Sequence, residues 1–343
     1  MAGPDRVTGS ATLSSMSDAV AFEASMGHFC RVALQDVTGD TGMNQGLAAI
    51  FRANRRAAPM GALACRGRFS VNPSSLIERA ALIMSRFAQV RGRALDFLCG
   101  HRVVFHHMAK SGGTSVYRAL RLRYAFSYAN LELQSIYSTL EALHPDFSPD
   151  EIRDESVRFR ERQLIYYMHN DVRCISGHVA FSDAAFDLFN EKFRFITTLR
   201  DPIALFISTF FYNSTSPQDR WKIDVPIEEF LESPRARIFG EVYARFYSGT
   251  PTSMHESSAN LLGRAKENLE KFSAVGLTED MPRFERRLRD ILGVRVRIGH
   301  ENQSRVSDTE RQRTITPEIR RKIEDLSAPN IEIYDFVKRQ LAS

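Results

Sequence analysis

Apolar positions along the chain fall into two regimes. Up to about residue 70 they are broken by Gly, Ser, Ala and Thr without a steady period, which predicts a loosely packed N-terminal extension over 1–70. Asn72-Pro73-Ser74-Ser75 then introduces 76-LIERAALIMSRFAQVRGRALDFL-98. There Leu76, Ile77, Ala80, Ile83, Met84, Phe87 and Val90 recur at helical spacing, so an amphipathic helix is expected within 71–100, ahead of a domain over 101–343. From 101 onward short apolar runs alternate with helical patterns. Strands are expected at 103–107, 173–176, 193–199 and 273–277. Helices are expected at about 114–124, 129–143, 151–168, 202–213, 259–271, 281–292, 316–326 and 330–341. This alternation predicts an α/β fold with a mostly parallel central sheet. In such folds ligands sit at the carboxyl ends of the strands.

Three stretches at expected strand ends carry candidate chemistry. The first, 103-VVFHHMAKSGGTSVYRAL-120, reads as strand, loop and helix. It lacks the GxxxxGK[ST] pattern of nucleotide triphosphate loops, because no glycine precedes Lys110 in the run. Gly112 and Gly113 allow a tight turn and close approach of the backbone to a ligand. Thr114 and Ser115 stand at the helix start, where free amides and the helix dipole favour an anion. Taken alone, the stretch fits an anion site or a plain strand–helix turn with a surface lysine. In 193-FRFITTLRDPIALFISTFFY-212, Arg200 ends a strand, Pro202 suits a first helical turn, and Ser208 follows about two turns later. Arg200 and Ser208 form a second phosphate clamp, or else Arg200 pairs with Asp201. In 174-CISGHVAFSD-183, Gly177 exposes His178 at a strand tip, as a structural histidine or as a general base suited to neutral pH.

Composition narrows the classes. The chain has 343 residues with a net charge of +5, long enough for a sizeable core and slightly basic, which suits anionic ligands. No Lys/Arg block is present, so a nucleic-acid partner is not expected. Cys30, Cys65, Cys99 and Cys174 are scattered, which favours reduced thiols over a zinc site or disulfide framework. No apolar run reaches 18 residues and no secretory pattern opens the chain. A cytoplasmic protein without stable membrane insertion is therefore expected.

Together the three stretches resemble the sulfotransferases that use 3′-phosphoadenosine 5′-phosphosulfate (PAPS), with their loop hhHxPKTGGTS and element RDPxxRxxS. The histidine of SGHV is most similar to that of the heparan and uronyl 2-O-sulfotransferase branch. The segment 265-AKENLEKFSAVGLTEDMPRFERRLRDILG-293 and the terminal 330-NIEIYDFVKRQL-341 are also similar to that branch. The resemblance covers about 101–341 and implies a P-loop-like three-layer fold. It implies PAPS as sulfuryl donor, no metal, and an acceptor hydroxyl on a glycan or glycoconjugate. By residue, it implies that Lys110, Ser111, Gly112, Gly113, Thr114 and Ser115 hold the 5′-phosphate. Arg200 and Ser208 would hold the 3′-phosphate, and His178 would be the base, with Lys110 also catalytic. Asn302, Ser304 and Arg305 are candidates for closing over the cofactor. The sequence departs from the pattern at four places. Ala109 replaces a proline, Ser111 a threonine and Leu205 a second arginine, and Ser176 stands where the branch has another histidine. Arg220, Lys222, Arg235 and Arg237 line an acidic-sugar cleft or are solvated surface charges. The competing readings are a non-catalytic binder of the nucleotide and a P-loop kinase.

Overall fold

The computed structural model describes residues 100–216, 219–251, 254, 256–299 and 307–342. The expected extension over 1–70, the helix within 71–100, and Asn302, Ser304 and Arg305 lie outside the described residues. Five strands form one sheet: β1 (Arg102–His106), β2 (Tyr128–Leu131), β3 (Cys174–Gly177), β4 (Phe193–Leu199) and β5 (Ala274–Leu277). Their order is β2-β3-β1-β4-β5 and every pair is parallel. Val104 lies opposite Ile175 on one side and Phe195 on the other. Strands buried on both faces read as near-continuous apolar runs, as 103–105 does, and in 193–199 every residue but Arg194 is buried.

The pleat sorts these runs into two layers. Val104, Ile175 and Phe195 face the larger core. There they meet helices α2 (Leu133–Leu143), α3 (Pro149–His169) and α4 (Asp183–Phe189). Leu205 of α5 (Pro202–Ser214), Tyr243 and Tyr247 of α8 (Val242–Ser248), α9 (Ser258–Glu270) and α13 (Ala328–Ala342) complete that layer. Val103, Phe105, Cys174, Ile196 and Ala274 face the other way, against α1 (Gly113–Arg123) and α10 (Met281–Leu292). The result is a three-layer α/β fold. A third cluster joins α5 to α6 (Ile227–Leu231), α7 (Pro234–Gly240) and α12 (Pro317–Leu326), while α11 (Asp308–Thr314) precedes α12. No helix among the described residues is long and apolar enough to cross a membrane.

Local signals set the helix starts. Ser148 and Glu151 form a reciprocal cap on α3, with Pro149 in its first turn. Asp201 accepts from the Ala204 amide and Pro202 follows it, which starts α5. One expectation needs correction. The helix expected from about 129 begins at Leu133, because 128–131 form β2 beside β3. Ala129 and Leu131 are buried at period two, too short a run to separate from the helical spacing of Ile136 and Leu140. Glu132 marks the true start by accepting from the amides of Gln134 and Ser135.

The connection from β1 to β2 carries α1 on one face, while α2, α3, α4 and α9 lie in the connections on the other. The chain therefore reverses its winding around β1, and it is at the carboxyl ends of strands flanking such a reversal that open α/β sheets bind ligands. Leu205, 3% exposed in the larger core, anchors α5 from below. Leu205→Arg would bury a guanidinium there without a partner. It should cost about 3 kcal/mol or more in urea unfolding; an unchanged midpoint would show that this side of α5 reaches water.

Candidate active site

The loop after β1 turns on two left-handed residues, Lys110 (φ 62) and Gly112 (φ 72). For lysine that conformation costs roughly 1–2 kcal/mol, so the surroundings must impose it. They do so by holding carbonyls. Arg200 Nη1 donates to Lys110 O at 3.2 Å. Ser111 Oγ donates to Met108 O at 2.7 Å and lies 3.1 Å from Thr198 Oγ1. Thr278 Oγ1 sits between Ser111 O (2.9 Å) and Leu199 O (3.0 Å). Ser111 is thus part of the frame: it is fully buried and its hydroxyl is engaged within the protein. No side chain caps α1 and no acidic residue lies in its first turn. The amides at Gly112, Gly113 and Thr114 therefore begin a helix whose positive end neither a capping side chain nor an acidic residue of its first turn offsets. The Lys110 ammonium lies 4.1 Å above the Tyr212 ring.

The 200–208 element meets this loop from the other side. No ion pair joins Arg200 to Asp201, whose carboxylate caps α5. Tyr243 OH accepts from the Arg200 amide at 2.8 Å and donates to its carbonyl at 2.7 Å. Glu279 accepts from the Asp201 amide at 2.9 Å and from Tyr334 OH at 3.0 Å. Ser208 is buried, and its side chain has no hydrogen bond to another described residue. It stands four residues before Tyr212, so it shares the helix face that meets Lys110.

The histidine lies on the opposite flank. The pairing of β1 with β3 runs on through the His107 amide, which donates to Gly177 O at 2.9 Å. Gly177 is required because a Cβ there would stand 2.5 Å from Leu131 Cβ and 2.9 Å from its carbonyl. His178 Nδ1 lies 2.7 Å from His107 O. A carbonyl only accepts, so Nδ1 carries the proton and Nε2 keeps a lone pair. The His107 ring stacks on that of His178, with centroids 4.4 Å apart. Burial lowers the His178 pKa to about 4, with the Arg160 charge acting in the same direction and the bond to His107 O opposing. Burial, and then the charge of His178, lower His107 to about 3. Both rings are neutral at pH 7. Arg160 donates to His178 O, and to Ser156 O at 2.8 Å. Ser176 is buried and bonded to Tyr128 OH.

The structure thus brings Lys110, Gly112, Gly113, Thr114, Ser115, Arg200, Ser208 and His178 to one sheet edge. Sequence reasoning passed over His107, Thr278, Tyr243 and Glu279. A signal for His107 was available, since it stands at the histidine of hhHxPK. In the fold the His107 ring also lies where a Cβ at Gly113 would stand. Of the cleft candidates, Arg220 pairs with Glu141 and lies over Tyr137, and Lys222 pairs with Asp224. Arg235 donates to Trp221 O and Lys222 O. These three brace the 219–224 segment. No family model matches this chain, and no curated protein matches it.

The histidines make a pH prediction. His106 is also buried, with its pKa lowered to about 4, and its Nε2 has no partner among Phe181, Phe195 and Phe272. Above the unfolded value near 6.5, all three rings are neutral in both states. As pH falls below 6.5 the unfolded chain takes up protons that the folded chain refuses until about pH 3–4. Stability should therefore drop as pH falls from 6.5 to about 4. His106→Phe should make that drop shallower in urea titrations across the window, and an unaltered slope would show that His106 does not contribute.

Proposed function

We propose that this chain is an O-sulfotransferase that moves the sulfuryl group of PAPS to an acceptor hydroxyl, on a glycan or glycoconjugate. One observation carries the reading. An uncapped helix N-terminus behind Lys110 and a neutral histidine with a free Nε2 share one sheet edge. The first suits an anion, the second the removal of a proton. The similarity of three separate stretches to the PAPS-dependent family supports the donor. The similarity of SGHV to the 2-O branch supports a glycan acceptor.

PAPS supplies an activated sulfuryl group on its 5′-phosphate when bound. Lys110 and the amides of Gly112, Gly113 and Thr114 hold that phosphate, with Ser115 beside them, and Arg200 and Ser208 take the 3′-phosphate. His178 Nε2 accepts the hydroxyl proton as the acceptor oxygen bonds to sulfur and the sulfur–oxygen bond to the phosphate breaks. Phosphate charge at the loop raises the proton affinity of His178 towards neutrality. His107 O remains hydrogen-bonded to Nδ1 and shares the charge of the imidazolium. Lys110 and the loop amides stabilise charge growing on the departing phosphate. A kinase would need a strand-end carboxylate to hold Mg²⁺. The candidates, Asp201 and Glu279, are bonded into the frame.

Two measurements test this. In thermal shift, 3′-phosphoadenosine 5′-phosphate should raise the melting point by a few degrees, since a ligand at about 100 times its Kd adds roughly 2.7 kcal/mol. Lys110→Ala should remove most of that rise. A rise with ATP–Mg²⁺ alone would replace this reading with the kinase. Turnover with labelled PAPS should fall at least about a hundredfold in His178→Gln while the shift remains. Loss of both would assign His178 to structure, and binding without any turnover in the unaltered protein would assign the chain to non-catalytic nucleotide binding.

A further inference from the structure

One polar ring at the catalytic edge, that of His107, has no hydrogen bond from either nitrogen to another described residue. Side chains alternate along β1, so His107, two residues after Phe105, lies on the face that α1 covers. Its ring stacks on Phe105, with centroids 5.4 Å apart, and on His178, 4.4 Å apart. Its third neighbour is the first residue of α1. A Cβ on Gly113 would stand 2.0 Å from His107 Cδ2 and 2.3 Å from Nε2. The Cα–Cβ bonds of a helix tilt towards its N-terminus. The Nε2 edge that fills this place therefore lies beside the first turn of α1, where no side chain caps the amides. The ring is thus wedged between a helix start that favours an anion and the imidazole assigned as base. Polar atoms held in such a place are normally hydrogen-bonded.

We propose that His107 is a further ligand of the anion at the start of α1, donating Nε2–H to a phosphate oxygen as a neutral imidazole. The neutral form follows from its neighbours. Burial, and then the charge of His178, resist a proton on this ring. An imidazolium at 107 would also repel the one that forms on His178 when the acceptor gives up its proton. A neutral ring carries a single N–H and adds no charge beside His178. With that N–H on Nε2, His107 joins the amides of Gly113 and Thr114 around one phosphate. One residue then serves both halves of the site: its carbonyl orients His178 and its ring holds the anion. The inference rests on the anion-binding half of the reading above and not on sulfuryl transfer.

Calorimetric titration of the full chain with 3′-phosphoadenosine 5′-phosphate and with inorganic pyrophosphate tests it. His107→Phe keeps an aromatic ring for the stack and removes the donor. It should weaken both ligands about tenfold or more, the usual loss for a hydrogen bond to a charged group, at an unchanged melting point. His107→Gln, which can donate again, should recover part of the loss, and His178→Gln should bind as the unaltered protein does. With isotope-labelled histidine, NMR of the unaltered protein should show one imidazole N–H moving downfield on adding pyrophosphate. That signal should be missing from His107→Gln. Unchanged affinity in His107→Phe would overturn the proposal and leave the ring a packing element. So would a spectrum in which no His107 N–H responds to pyrophosphate, a readout that stands if the phenylalanine variant fails to fold. Binding of pyrophosphate but not the nucleotide, with the same loss in His107→Phe, would uphold the ligand and remove PAPS as donor. No binding of either by the unaltered protein would overturn both.

Discussion

The direction in which four backbone carbonyls point governs the candidate site. Those of His107, Met108, Lys110 and Ser111 each turn inward to a side chain: His178, Ser111, Arg200 and Thr278. Apart from Ser111, these donors come from the residues just after β3, β4 and β5. The sheet therefore sets the loop, and the loop sets which groups face outward. With the carbonyls taken, amides and the Lys110 ammonium are what the turn presents. The left-handed backbone at Lys110 follows from the same bonds, since nothing in lysine itself favours it.

Much of this frame was legible in the sequence. Four of the five strands announced themselves as apolar runs, because a parallel sheet buries both faces and leaves no polar alternation to confuse the reading. Asp201-Pro202 marked the start of α5, and the structure shows why: the carboxylate caps the helix and so is not bonded to Arg200. Leu205 looked like a lost contact when set beside RDPxxRxxS. In the fold it is a core residue, and α5 is held by apolar packing together with Tyr243 and Glu279 around its start.

The rest was hidden for physical reasons. β2 spans four residues, fewer than any periodicity can classify, and exists because β3 offers an open edge. Five helices of five to seven residues, α4, α6, α7, α8 and α11, depend on tertiary packing more than on local pattern. Thr278 and Tyr243 contact the site only through long-range bonds, Tyr243 across 43 residues and Thr278 across 167. No local motif encodes such partners. His107 is a different case. Its importance lies in a stack on His178 that exists only after β1 and β3 pair.

The order of the strands also shapes how the site comes into being. β1 sits at the centre of the sheet, yet its partners lie far along the chain: bonds at its end span 71 residues to His178 and 91 to Thr197. Loop closure over such distances is slow, and none of it is rewarded until the distant strand arrives. The loop after β1 cannot be set before β4 and β5 have docked. A nascent chain released after β3 would own the lysine, both glycines and the histidine, yet lack the hands that hold them in place. The shape of this loop is therefore acquired late in folding, and a ribosome must pass Thr278 before the carbonyls of the turn are all held.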